Sequence, residues 1–254
     1  MLKQLFRKLF GHPSPTQTID AEQFRFLYAG GKRDFSDTVL INVDLREIEL
    51  RGLNLRQADL RFVRDLRDGV NLSYADLTGA NLSGMNLSGI DLRYAVLCHT
   101  NLEGTNLSRA NLTGANCSNA NLTCVTLCYA QIEDVNFANA QLRQADLHYA
   151  YAVGCNFCDA NLYGANLSKG DLERVNFTRS NLKSADLSWA NLNSANFSRT
   201  NLQHTNLSWA DLEASNPEYS RMGSTTFTGA RLPWGVYIIS HKRMQSEFAH
   251  PGGL

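Results

Sequence analysis

The chain has 254 residues with 24 Lys and Arg against 24 Asp and Glu, so it is long enough for a buried core and carries no net field to recruit or imitate nucleic acid. No HExxH, paired-ligand histidine spacing, G-x-S-x-G or phosphate loop occurs, so an enzyme is the class the residues support least. No catalytic residue, metal ligand, cofactor or small-molecule substrate is expected, and six cysteines without a secretory leader pattern predict free thiols in the cytoplasm.

In chain order, Met1–Phe10 places Leu2, Leu5, Phe6, Leu9 and Phe10 at helical spacing against Lys3, Arg7 and Lys8, before Gly11 and Pro13. The pattern predicts either a helix that contacts a membrane surface or a partner, or a loosely docked end, since ten residues alone make a marginal helix in water. A second segment has Asp20 as N-cap, runs through Phe24, Leu27 and Tyr28, and stops at Gly30-Gly31. It is expected to cover the edge of whatever follows, which gives an N-terminal segment and cap over 1–34.

From Phe35 a large apolar residue recurs every fifth position through Leu40, Leu45, Leu50, Leu55 and Leu60. Two extra residues then intervene, in a charged stretch that predicts enlarged corners or a small bulge, and the series resumes at Leu72 and runs to Leu232. Of the 33 positions from Leu72 to Leu232, 29 are Leu, Phe or Ile, and the preceding residue is Asn or Asp in 25, too regular to be chance. The residue before that is small, so the unit is A-(N/D)-L-x-x, as in Ala80-Asn81-Leu82.

A period of five suits neither a helix nor an alternating strand, so the repeat is read as a solenoid. With the large centre and the small residue two before it both pointing inward, four units make a coil of 20 residues, stacked on the next at about 4.8 Å. These units resemble the pentapeptide repeat family. The resemblance implies an all-β fold, a right-handed quadrilateral parallel β-helix with a short helical N-terminal cap, spanning 35–232 and followed by a C-terminal cap and tail over 233–254. It also implies an interaction protein, the best-understood members being DNA-mimicking inhibitors or protectors of type II topoisomerases, and pairing of two copies through one end is a habit of the family. The stretch Leu27 to Phe35 resembles regulatory members from filamentous photosynthetic bacteria, which implies a signalling or differentiation partner.

Near the end of the repeat, Pro217 and the run to Ser224 predict an outward loop, because Pro cannot donate to a ladder. Trp234–Ile239 is apolar and β-prone and is expected to close the C-terminal end or pair with a second molecule. Arg46, Arg51, Arg56 and Arg61 share one outward position on four consecutive sides, a basic belt that nearby acids neutralise.

Because residues 20 apart stack, the outer surface reads as columns. The column Arg109, Tyr129, Tyr149, Lys169, Trp189, Trp209 holds four aromatics and two cations, with His148 and Tyr151 beside it, and is the expected binding site for a protein partner. Against this stand simple stacking between coils and base stacking on single-stranded nucleic acid, the latter disfavoured by the neutral net charge. A neighbouring side with Asp91, Glu133, Asp134, Asp171, Glu173, Asp211 and Glu213 against Arg93, Arg174 and Arg231 keeps a DNA-mimicking topoisomerase binder as the alternative. A purely structural protein, or one held at a membrane by residues 1–10, is the third reading.

Overall fold

The computed structural model describes residues 17–233 except 47, 65 and 68. The Met1–Phe10 pattern and the Trp234–Ile239 stretch lie outside the described residues.

Every centre from Phe35 to Leu60 and from Leu72 to Leu212 is buried, as are the small residues of most units, such as Ala75, Ala80 and Ala110. Parallel bridges join the Asx positions of successive coils, as in Asn71↔Asp91, Asp76↔Val96, Asn81↔Asn101 and Asn86↔Asn106, four bridges for each twenty residues. The offset rises to 22 at Asn54↔Asp76 and Asp59↔Asn81 and then returns to 20, so the two extra residues stay local to one coil. Val63 and Leu66 turn inward there, which enlarges the coil without shifting the ladder above it.

A complete account of the backbone N–H groups explains the unit. In Ala110 to Gly114, Ala110 N–H donates to Leu107 O at 3.0 Å and closes a four-residue turn, Asn111 N–H donates to Ile90 O in the coil below, and Leu112 and Gly114 N–H donate to Gln131 and Glu133 O in the coil above. The remaining donor, Thr113 N–H, points to no carbonyl and is taken by Asn111 Oδ1 at 3.0 Å. Asn or Asp is therefore the residue that closes the account, since a buried or half-buried amide without a partner costs about 1–3 kcal/mol. Asn adds a second bond that Asp lacks, because its Nδ2 donates to the Asx side chain of an adjacent coil, as Asn136, Asn156 and Asn176 do to Asn116, Asn136 and Asn156 at 3.1–3.3 Å.

The last residue of each corner has φ near +60°, from Tyr74 to Gly229, as the third residue of a type II turn requires. No β-branched residue occupies such a corner among the described residues, because branching at Cβ makes the left-handed region hardest to reach. Inside, Phe137, Phe157, Phe177 and Phe197 stack at 4.9–5.3 Å as a continuous column. Inward threonines bury their hydroxyls at no hydrogen-bond deficit, since Thr100 Oγ1 donates to Leu77 O at 2.8 Å and Thr205 Oγ1 to Leu182 O at 2.7 Å.

The start of the structure differs from the sequence expectation in one respect. Helix α1 (Ala21–Ala29) is capped as expected, with Gln23 N–H donating to Asp20 Oδ1 at 2.9 Å and Gly30 at the C-terminus. It is preceded by strand β1 (Gln17–Asp20), which pairs in parallel with β2 (Thr38–Ile41) and so extends the ladder by one short rung. No alternation in Gln17–Asp20 signals this, because only Ile19 turns inward. The buried ring of Phe24 lies 4.5 Å from that of Phe35, and the Tyr28 hydroxyl donates to Glu49 O, which docks α1 over the first coil.

The other correction is at Pro217. No outward loop forms, and corners and bridges continue through Asn196↔Asn216 and Asn201↔Arg221. The reason is directional: centre N–H groups such as Phe197 and Leu212 donate to the following coil, so a proline centre near the end of the described stack removes no bond with the coil below it.

Asn156→Ala is expected to lower stability by about 1–3 kcal/mol, by freeing Cys158 N–H and breaking the side-chain ladder. Asn156→Asp, which keeps the acceptor, should cost less. Denaturant titration of the three proteins checks the order.

Candidate functional site

The predicted column is continuous. Arg109, Tyr129, Tyr149, Lys169, Trp189 and Trp209 all occupy the left-handed corner position, with φ between 57° and 62°, and all are exposed. Tyr129 and Tyr149 stack at 5.0 Å with 5° between planes, and Trp189 and Trp209 at 5.2 Å with 12°. Lys169 stands between the two pairs in the column, its Nζ 5.1 Å from the Tyr149 ring centre, and the Tyr149 hydroxyl holds its pKa above the ordinary lysine value. The column ends on Gly229, whose φ of +68° suits glycine, and a Cβ there would stand 2.5 Å from the Trp209 ring. The indole therefore lies against the corner of the next coil.

The two tryptophans remain more than half exposed, at 58% and 53%. Beside them runs a shallow groove of about 430 Å³ lined by Glu173, Trp189, Asn193, Trp209 and Asp211. Stacking of the two rings and the approach of Gly229 to Trp209 still leave this surface open to solvent. Tyr151, also exposed, and His148 lie near the tyrosine pair, and the His148 ring meets Tyr129 and Tyr149 edge-on at 5.5 and 5.6 Å.

The other charged surfaces are largely self-paired. In the arginine belt Arg46 meets Asp44 at 2.6 Å, Arg56 meets Asp76 at 3.1 Å, Arg61 meets Asp59 at 2.7 Å, and Arg51 lies over Tyr74. On the acidic side Arg93 pairs with Asp91, Arg174 with Glu173, and Arg231 with both Asp211 and Glu213. The Arg93 guanidinium holds the Asp91 carboxyl below its ordinary pKa. Stability linked to Asp91 is thus present above the unfolded carboxylate value near pH 4 and is lost as pH falls through the lower folded value. Asp91→Asn should accordingly lose less stability than the wild type as pH falls below about 4, in acid titrations of the unfolding midpoint.

One cluster went unnoticed in the sequence. Cys128 and His148 are twenty residues apart and so stack, and Asp146 stands two before His148; His148 Nδ1 lies 3.1 Å from Cys128 Sγ and 2.9 Å from Asp146 Oδ1. The signal was available, since the column rule that found the tryptophans applies one position earlier in each unit. Burial, and then the Asp146 carboxylate, push the Cys128 thiol up to about 12. All six cysteines are free thiols, and Cys117 and Cys155 are buried and raised by the same loss of solvation.

A profile described as Pentapeptide repeats, in 8 copies, matches residues 34–64, 68–104, 90–127, 140–179 and 180–216. Among solved structures the chain is similar to HetL, a pentapeptide repeat protein involved in heterocyst differentiation regulation from the cyanobacterium Nostoc sp. strain PCC 7120. The two are 30% identical over 87% of this chain and 100% of that one, with a TM-score of 0.52. It is also similar to QnrB1, a plasmid-mediated fluoroquinolone resistance protein, in its trypsin-treated form, at 18% identity over 85% of this chain and 90% of that one, with a TM-score of 0.43. No curated protein matches the chain significantly.

Two outcomes test the geometry of the column. Trp209→Ala should cost no more than about 1 kcal/mol of stability in denaturant titration, the worth of a cross-strand pair, because the residue stays 53% exposed. In native protein a thiol-alkylating reagent should modify exposed Cys124 first and leave Cys128 unmodified until unfolding, read by peptide mass spectrometry.

Proposed function

This chain belongs to the pentapeptide repeat family, and from that premise we propose that it is a non-enzymatic scaffold whose protein partner docks on the column from Arg109 to Trp209. The right hand and four flat sides of a quadrilateral β-helix, which the family forms, and a place in the cytoplasm are part of the same proposal.

The observation that carries the reading is the pair of stacked, half-exposed indoles at corners of positive φ. A bulky L-residue held there costs on the order of 1 kcal/mol relative to glycine, which occupies the same corner at Gly89 and Gly229. Stacking between coils returns about 0.2–1 kcal/mol per pair, no more than that strain. Recognition supplies the remaining reason for large aromatic surface at these corners, since Trp and Tyr dominate binding energy at protein interfaces. The groove beside the indoles, with Glu173 and Asp211 on its wall, suits an arginine or lysine of the partner laid over a tryptophan face. HetL, involved in differentiation regulation, makes a regulatory protein the class of partner to seek first.

The acidic side is the weaker candidate surface. Asp91, Glu173, Asp211 and Glu213 are each paired with an arginine of the same side, so the negative field that a DNA mimic needs is cut along its length.

The test is capture from a lysate of the source organism on immobilised wild type and on a Trp189→Ser/Trp209→Ser variant of equal stability. A partner held by the wild type should be lost by the variant, with affinity falling at least about 30-fold, as for a hot spot worth 2 kcal/mol or more. A partner retained equally by both would refute the column, and a retained topoisomerase would move the function to the acidic side.

A further inference from the structure

Cys128 and His148 stand one residue after their centres on adjacent coils, and Asp146 precedes the centre Leu147. We propose that Cys128 Sγ, His148 Nδ1 and an Asp146 carboxylate oxygen form a binding site for one zinc ion, which clips two neighbouring coils together. The inference stands whether or not the aromatic column binds a partner.

Each of the three residues offers one donor atom, and the three atoms lie within 4.8 Å of one another. Thiolate, imidazole and carboxylate together are a donor set that zinc takes readily. Hydrogen bonds already draw the three side chains together. His148 Nδ1 faces Asp146 Oδ1 at 2.9 Å and Cys128 Sγ at 3.1 Å, yet a neutral imidazole nitrogen carries either one proton or one lone pair. As a donor it serves the carboxylate, and the Cys128 thiol then turns to Asp146 O at 3.8 Å, a long contact. A metal ion accepts all three lone pairs at once.

The separations suit this role after a small adjustment. Donors at about 2.0–2.3 Å from a tetrahedral ion lie roughly 3.3–3.6 Å apart, a few tenths of an ångström beyond the two His148 contacts and inside the 4.8 Å that bounds all three atoms. Small rotations of half-exposed His148 and Asp146 provide that much. Charge also balances, since a thiolate and a carboxylate match the two charges of the ion. On binding, the Cys128 S–H bond breaks, its electron pair forms the zinc–sulfur bond, and the proton leaves to solvent.

Access and selectivity follow from burial and neighbours. Cys128 is buried at the floor, while the His148 and Asp146 side chains are 30% and 40% exposed, so the ion can enter from the surface and keep a water as its fourth ligand. None of the other outward cysteines has this set. Cys98 faces Ser118 Oγ, Cys124 faces Gln144, and Cys158 lies 3.2 Å from the Arg179 guanidinium, which repels a cation.

The experiment uses the full chain freed of metal by a chelator and titrated with cobalt(II), then zinc(II). One equivalent of cobalt should produce a thiolate-to-metal charge-transfer band that zinc abolishes, with one proton released per ion in weakly buffered solution. Zinc should also raise the Tm of the wild type. Cys128→Ser should remove the band and the Tm shift, His148→Gln should weaken binding more than about 100-fold, beyond the cost of an outer-shell change, and Cys124→Ser should change neither. His148→Gln decides the matter if Cys128→Ser fails to fold. A wild type without the charge-transfer band, or a band that survives both Cys128→Ser and His148→Gln, would overturn the site.

Discussion

The structure depends on one hydrogen bond repeated in most units, from the amide after the centre to the Asx side chain two residues before it, as in Thr113 to Asn111. Four of the five amides in a unit find carbonyls in the turn or in adjacent coils. The fifth sits where the chain bends away from the ladder, and only a side-chain acceptor of Asx length reaches it. Because coils share their bonds only with immediate neighbours, the stack tolerates local change. The enlarged coil between Leu60 and Leu72 and the proline at 217 both leave the register around them intact.

The same corner fixes what the outside can carry. Left-handed backbone at the last corner residue disfavours branched side chains and favours glycine, so a large aromatic there is a choice against local preference. Where it occurs at consecutive levels, stacking recovers part of the strain and holds the rings nearly parallel, 5.0–5.2 Å apart. Tyr129 with Tyr149 and Trp189 with Trp209 are two such pairs, with Lys169 over the Tyr149 ring at the level between them. A surface built this way is rigid before any partner arrives, which limits the entropy that binding must offset.

Of the site, the column was legible because twenty-residue stacking follows from arithmetic on the repeat, and every member is where that arithmetic puts it. The same arithmetic reaches Cys128 and His148, but the third member, Asp146, belongs to a different position of the unit and joins them only through the actual side-chain conformations. The acidic side was legible as composition, and the structure adds that its arginines close onto the carboxylates beside them.

By itself the sequence determined the period, the inward residues, the coil of twenty and the helix that begins at Asp20, because each rests on local spacing that any one unit displays. The tertiary structure decided the rest. It recruited Gln17–Asp20 into the ladder, where only one inward residue marks it, and it kept Pro217 in the stack, because the direction of the centre N–H bonds is a property of neighbouring coils. It also gave the Asx residues their reason: the acceptor role lies within the unit, but the need for it appears only once every other amide has been assigned to a neighbour.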